Sequence, residues 1–250
     1  IRFGQFIQYT IKFLENENSE YEKFFKSLAI VGGNQTASSK TGVGFLYKYI
    51  DKPEDIYLVT NNHLLSSENL ESFFAIFEIV DKTNKTKSVT AEFRVIGRDV
   101  FSDVLVGKFD PEIFYNKTFE VDLSEYIPIE INIDIDIKEN MDILVIGSLG
   151  SIDNRILLNG KIMDPKYNGS FISNSYSIPE CLFIDINVIE GLSGAPVLIK
   201  RSNKYNLVGM VTALIGNNKN YTIALNNYSI SSVVSSIIKN YEEAKVYYKN

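Results

Sequence analysis

The chain has no tryptophan, one cysteine, one histidine, three methionines and six prolines among its 250 residues. Each scarcity removes a class of explanation. The lone cysteine, Cys181, rules out an internal disulfide and fits a reducing compartment better than a secreted one. Followed by Leu182-Phe183-Ile184, it reads as a core residue rather than a nucleophile. One cysteine and one histidine cannot supply the usual nitrogen and sulfur ligands of zinc, so no metal centre of that kind is expected. No apolar run reaches the about 18 residues that a membrane span needs. No secretory apolar segment is visible either, although the sequence opens on Ile1 rather than Met, so a missing leader carries no weight. A net charge of −6 and a pI of about 5.0 deny the chain the basic stripe that a nucleic-acid grip requires. The compartment stays unknown; the class is a soluble globular protein.

Apolar residues make up 45% of the chain. A chain of this length buries about 70–75% of its unfolded surface, enough for a core without metal or disulfide staples. Residues 1–27 read as an extension. Ile1, Phe3, Ile7, Tyr9, Ile11 and Phe13 share one face at strand period, then Ser19 and Glu22 resemble a capping box before the helical spacing of Tyr21, Phe24, Phe25 and Leu28. Such an arm would pair with another protein chain or cover a cleft.

From Leu28 onward short β-rich runs dominate. The first six are Leu28–Val31, Gly42–Tyr49, Ile56–Thr60, Phe73–Val80, Val89–Ile96 and Val104–Phe109. The second six are Met141–Gly147, Arg155–Met163, Leu182–Ile186, Pro196–Lys200, Leu207–Leu214 and Tyr221–Leu225. Gly, Asn, Asp and Lys separate them, which predicts an all-β chain of two small barrels, over 28–115 and 139–227. The stretch 116–138 between them carries isoleucine at every second position from Ile127 to Ile137. Glu130, Asp134 and Asp136 would offer oxygen ligands to a cation. The favoured reading is an extended connector with isoleucines inward and carboxylates in water. Ile230, Val233, Val234, Ile237, Ile238 and Tyr241 then predict a C-terminal helix over 228–250 that docks on the second barrel. Lys239, Lys245 and Lys249 are too few basic groups for a membrane surface. No internal repeat or low-complexity tract is visible.

Because there is one imidazole, any histidine base must be His63, within Val59-Thr60-Asn61-Asn62-His63-Leu64-Leu65. A second string, Glu190-Gly191-Leu192-Ser193-Gly194-Ala195-Pro196-Val197, exposes one serine on a small-residue turn. A serine hydroxyl is a weak nucleophile near neutral pH. It needs an imidazole to take its proton, a buried carboxylate to fix the imidazole tautomer, and N–H donors facing the developing oxyanion. Gly191 and Ser193 would supply those donors, with glycine leaving the backbone free at 191. Asp103 is the preferred carboxylate because it sits just before the apolar run Val104-Leu105-Val106; Asp99, four residues earlier, is the rival. Together the strings point to a hydrolase.

With Thr-Asn-Asn-His, Ser-Asp-Val-Leu-Val and Gly-Leu-Ser-Gly-Ala-Pro-Val in this order, 40 and 90 residues apart, the chain resembles the chymotrypsin-fold (trypsin-like) serine peptidases. It looks most like their HtrA/Deg-like and glutamyl-endopeptidase-like branches. The likeness runs from about Leu28 to Leu225 and takes in Thr41–Leu46, Ile143–Ser148 and Leu207–Val211. It implies two six-stranded antiparallel barrels with a cleft between them and a polypeptide substrate. It also implies a catalytic triad of His63, Asp103 and Ser193, with no cofactor or metal. By the same analogy Asn187, Thr212, Ala213 and Ile223 would wall the substrate pocket, and their character predicts a medium apolar side chain before the cut.

Two departures stand out. Leu192 occupies a position where the family usually has Asp or Asn, and Ala195 one where Gly is usual. Ile30-Val31-Gly32-Gly33 looks like the freed terminus that activates the animal digestive branch, but the acid that would pair with it is missing, so it reads as an ordinary first strand. The complete His–Asp–Ser set favours an active endopeptidase. Leu192 and the extension 1–27 favour a catalytically weak or inactive member acting in binding or assembly.

Overall fold

Backbone pairing, not side-chain period, sets the strand lengths of this protein. A computed structural model describes residues 24–32, 41–49, 51–65, 70–80, 86–109, 135–149, 155–168, 180–188, 190–201, 204–215 and 221–247. Six strands come first: β1 (Leu28–Gly32), β2 (Thr41–Tyr49), β3 (Lys52–Asn61), β4 (Ser72–Val80), β5 (Thr86–Asp99) and β6 (Val104–Phe109). They close a barrel in the order β1-β2-β3-β6-β5-β4. Six more follow: β7 (Asp142–Ser148), β8 (Arg155–Tyr167), β9 (Cys181–Ile184), β10 (Pro196–Arg201), β11 (Lys204–Ile215) and β12 (Tyr221–Asn226). They close a second barrel as β7-β8-β9-β12-β11-β10, the same strand order without any sequence repeat. Every neighbouring pair of described strands in the two barrels is antiparallel.

Alternation along the inner strands is hidden because both faces are buried. On β2, Val43, Phe45 and Tyr47 belong to an apolar cluster that runs into the second barrel, while Leu46 belongs to the core of the first. Tyr57 and Val59 on β3, and Val104 and Val106 on β6, face the same shared cluster, with Leu58 and Leu105 turned the other way. A strand buried on two sides reads as a continuous apolar run. The seam between barrels is therefore a dry extension of the second core, and the site described below is built at its edge. Cys181 is fully buried in that core, where burial pushes its thiol up to about 12.

The chain ends in a helix, α1 (Asn227–Tyr247). Asn226 caps it, its side-chain oxygen accepting from the Ser229 N–H at 2.8 Å. Ile230, Val234 and Ile238 form its fully buried stripe. The sequence predicts docking on the second barrel; α1 lies against β11 and β12 of that barrel and also against β5 and β6 of the first. The reason is steric and electrostatic. Gly97 on β5 leaves room for Ile237, whose Cγ2 would stand 2.6 Å from any Cβ there, and Lys108 on β6 reaches Glu242 at 3.5 Å. No helix among the described residues is long and apolar enough to cross a membrane.

Most of the extension 1–27 lies outside the described residues, apart from Phe24 to Ser27 ahead of β1. Glu130 and Asp134 lie outside them too; Asp136 is exposed and pairs with Lys138 at 3.1 Å, next to a buried Ile135. Ile30 to Gly32 sit in β1, hydrogen-bonded between β2 and β4.

Candidate active site

β3 ends at Asn61, and the chain turns at once into a single 3-10 turn, Asn62–Leu65. Buried Leu64 and Leu65 anchor that turn on the first core and leave His63 partly exposed. Across the ladder, β5 ends at Asp99 and β6 begins at Val104, so the loop between them returns beside the end of β3. Asp99 organises this loop: its Oδ1 accepts from the N–H groups of Phe101 at 2.8 Å and Ser102 at 3.1 Å. Asp99 is thereby committed to the turn. Asp103 takes a left-handed backbone with φ of 56°, a state that aspartate tolerates better than most residues.

That backbone aims the Asp103 carboxylate at His63. Its Oδ2 stands 2.6 Å from His63 Nδ1, and its Oδ1 accepts the His63 main-chain N–H at 2.8 Å. A carboxylate oxygen accepts, so Nδ1 is the donor in this contact and Nε2 is the ring nitrogen not engaged with Asp103. The carboxylate side chain is 3% exposed and the imidazole 22% exposed, an arrangement in which the pair is shielded on one side and open on the other.

Ser193 stands on the seam. Its carbonyl accepts the Val43 N–H of β2 at 2.7 Å, and the Val43 carbonyl accepts the hydroxyl of Thr60, three residues before His63, at 2.7 Å. On the other side, the Gly194 N–H donates to Val211 on β11 at 2.8 Å. Gly194 has φ of +86°, and any Cβ there would sit on the Val43 carbonyl oxygen, so only glycine fits. Gly191 also has positive φ, +100°. The Gly194 and Ala195 N–H groups are taken by carbonyls, whereas those of Gly191 and Ser193 have no main-chain acceptor among the described residues. Leu192 is fully buried, and its Cδ2 lies 2.5 Å from where a Gly147 side chain would begin. Apolar packing of Leu192 holds this loop.

The structure thus joins His63 to Asp103 directly and brings Ser193 to the same seam through Val43. The expected pocket residues part company. Asn187 is exposed and Ala213 half-buried, both beyond the core. Ile223 is fully buried in the second barrel and has no surface with which to wall a pocket; its β12 register turns it inward against β9 and β11. Thr212 is buried too, and its hydroxyl meets the amide of Asn61 rather than open space. Asn61 and Val43 are the residues that sequence reasoning missed. The one available signal was the Asn61-Asn62 pair, two polar residues where a strand end should be apolar.

Among solved structures, the serine endoprotease from Yersinia pestis superposes with a TM-score of 0.62 at 18% identity, over 89% of this chain and 68% of that one. This is the chymotrypsin fold. The HtrA-type protease AlgW with tripeptide shares it at a TM-score of 0.63 and 18% identity, over 88% of this chain and 62% of AlgW. The MamO protease domain from Magnetospirillum magneticum shares it at 0.59 and 13%, over 85% and 97%. No family model and no curated sequence matches the chain. In the chymotrypsin fold as this chain builds it, both strand-end loops of the first barrel and the Gly191–Ala195 turn of the second meet along one edge.

Proposed function

We propose that the protein is a serine endopeptidase working through an acyl-enzyme. The observation that carries this reading is the 2.6 Å contact between His63 Nδ1 and a buried Asp103, which leaves the opposite ring nitrogen basic. Ser193 Oγ attacks the carbonyl carbon of a peptide bond while His63 Nε2 takes its proton. The negative charge that moves to the carbonyl oxygen is met by the Gly191 and Ser193 N–H groups. Collapse of the tetrahedral species expels the amine, which leaves with the proton from His63. Water then enters by the same route, giving a proton to His63 and its oxygen to the acyl carbon; the second collapse breaks the bond to Ser193 Oγ, which takes the proton back from His63 as the carboxylic acid product leaves. Asp103 stays ionised throughout and stabilises the imidazolium. The residues hold no cofactor or metal in this scheme.

A fluorophosphonate probe tests the reading, because it reacts only with a serine activated in this way. We expect the parent protein to label and Ser193→Ala and His63→Ala to be silent, each costing on the order of 10⁶ in turnover on peptide. A folded parent that takes up no probe would leave the second reading, a peptidase-fold protein that binds rather than cuts, which the Leu192 replacement favours.

A further inference from the structure

Asn61 is fully buried, and its side chain touches both halves of the site. Its Nδ2 donates to the Asp103 main-chain oxygen at 3.1 Å and lies 3.4 Å from Thr212 Oγ1 on the second barrel. The orientation of the amide follows from chemistry: a carbonyl oxygen only accepts, so nitrogen must face it. Thr212 directs its own hydroxyl proton to the Met210 carbonyl at 3.2 Å, which leaves its oxygen to accept from Asn61. The register shift of β11 between Val211 and Ala213 takes Thr212 out of the ladder and makes this contact available. Asp103 therefore receives four hydrogen bonds from three successive residues. Asn61 Nδ2 and the Asn62 N–H, the latter at 3.1 Å, hold its carbonyl, and the two His63 donors hold its carboxylate.

Stability alone does not explain an asparagine here. Asn61 Oδ1 is buried and has no hydrogen-bond partner among the described residues, an arrangement that costs stability and that an apolar side chain of the same shape would avoid. We propose that Asn61 is a positioning residue: it clamps Asp103 in its left-handed backbone state and ties that clamp to Thr212, so that the Asp103–His63 pair is aligned only when the two barrels are seated together. The inference deepens the peptidase reading and rests on it for its effect on rate, but not for its effect on the imidazole.

His63 is the only histidine, so its Nδ1–H gives one assignable proton resonance in a nitrogen-15-labelled sample. Asn61→Leu keeps the shape and removes the donors; Thr212→Val removes the acceptor on the second barrel, and Thr212→Ser keeps it. In Asn61→Leu and Thr212→Val the Nδ1–H resonance should move upfield or broaden, while Thr212→Ser should match the parent. Probe labelling of Ser193 should slow about 10²-fold in Asn61→Leu and about tenfold in Thr212→Val, as expected for a small misplacement of a reacting group. Thermal unfolding of Asn61→Leu should hold level with the parent, since the orphaned oxygen is gone. An unmoved resonance would overturn the proposal, whether or not the melting temperature falls. If Asn61→Leu does not fold, the two Thr212 variants decide on the same readout. If the parent itself takes up no probe, a shifted resonance still supports the clamp, and the failure falls on the peptidase reading alone.

Discussion

Replacing Asp103 by asparagine removes one oxygen and leaves the shape of the site intact. Asparagine, like aspartate, accepts a left-handed backbone, so φ of 56° is kept without added strain. The parent carboxylate accepts twice, from the His63 main-chain N–H at 2.8 Å and from Nδ1–H at 2.6 Å. An amide has only one acceptor atom. If its oxygen stays on the main-chain N–H, its NH₂ faces Nδ1, the ring takes the opposite tautomer, and Nε2 carries a proton when it should receive one. If the amide turns over, its NH₂ meets the main-chain N–H, donor against donor. Either way the base is lost, and the imidazolium loses its counter-charge. A loss of about 10⁴ in rate at neutral pH follows, or about 5.4 kcal/mol of transition-state stabilisation. The rate constant for fluorophosphonate labelling, read against intact fold by circular dichroism, measures it directly. Asp99→Asn is the control, because the Asp99 carboxylate accepts from the N–H groups of its own turn and its loss should cost a fewfold. Equal small losses at both positions, or a larger loss at Asp99, would refute the assignment of the carboxylate.

Two further outcomes follow from burial. Leu192→Ala opens a cavity against Gly147 beneath the serine turn and should cost about 2–5 kcal/mol in chemical denaturation, with labelling slowed because the turn loses its anchor; unchanged labelling would mean the turn is held elsewhere. The Cys181 thiol, pushed up by burial from 9.0 to about 12, stays protonated in the folded protein, so a thiol reagent at pH 8 should modify it only after denaturant is added. The sign also fixes a stability trend. The unfolded thiol ionises first, so this contribution is complete below pH 9 and declines as pH rises toward 12, visible as a falling denaturation midpoint that is shallower in Cys181→Ala, where only the raised tyrosines, Tyr57 foremost, still contribute.

Strand positions were readable because Gly, Asn, Asp and Lys punctuate the apolar runs, but their extents were not. β3 begins at Lys52 rather than Ile56, and β5 spans Thr86–Asp99 rather than Val89–Ile96, since a ladder of main-chain bonds continues past the last apolar side chain. The contact of α1 with the first barrel was hidden because it depends on a gap at Gly97 that a helical pattern does not encode. At the site, Asp103 could be told from Asp99 by its place before an apolar strand, and the hydrogen bonds divide the two residues in the same way. The burial of Thr212 and Ile223 is not encoded in their residue types. Whether a strand residue faces a cleft or a core depends on ladder register, and the bulge in β11 changes that register by one residue. Asn61 was overlooked because its partners, Asp103 and Thr212, are 42 and 151 residues away along the chain.

The placement of α1 across β5, β6, β11 and β12 has a bearing on how the molecule is made. During synthesis each cylinder can close as soon as its own sixth strand leaves the ribosome. The strap that leans on both emerges afterwards, with residues 227–247. The contacts that fasten the first barrel to the second through α1 are thus the last to form among the described elements.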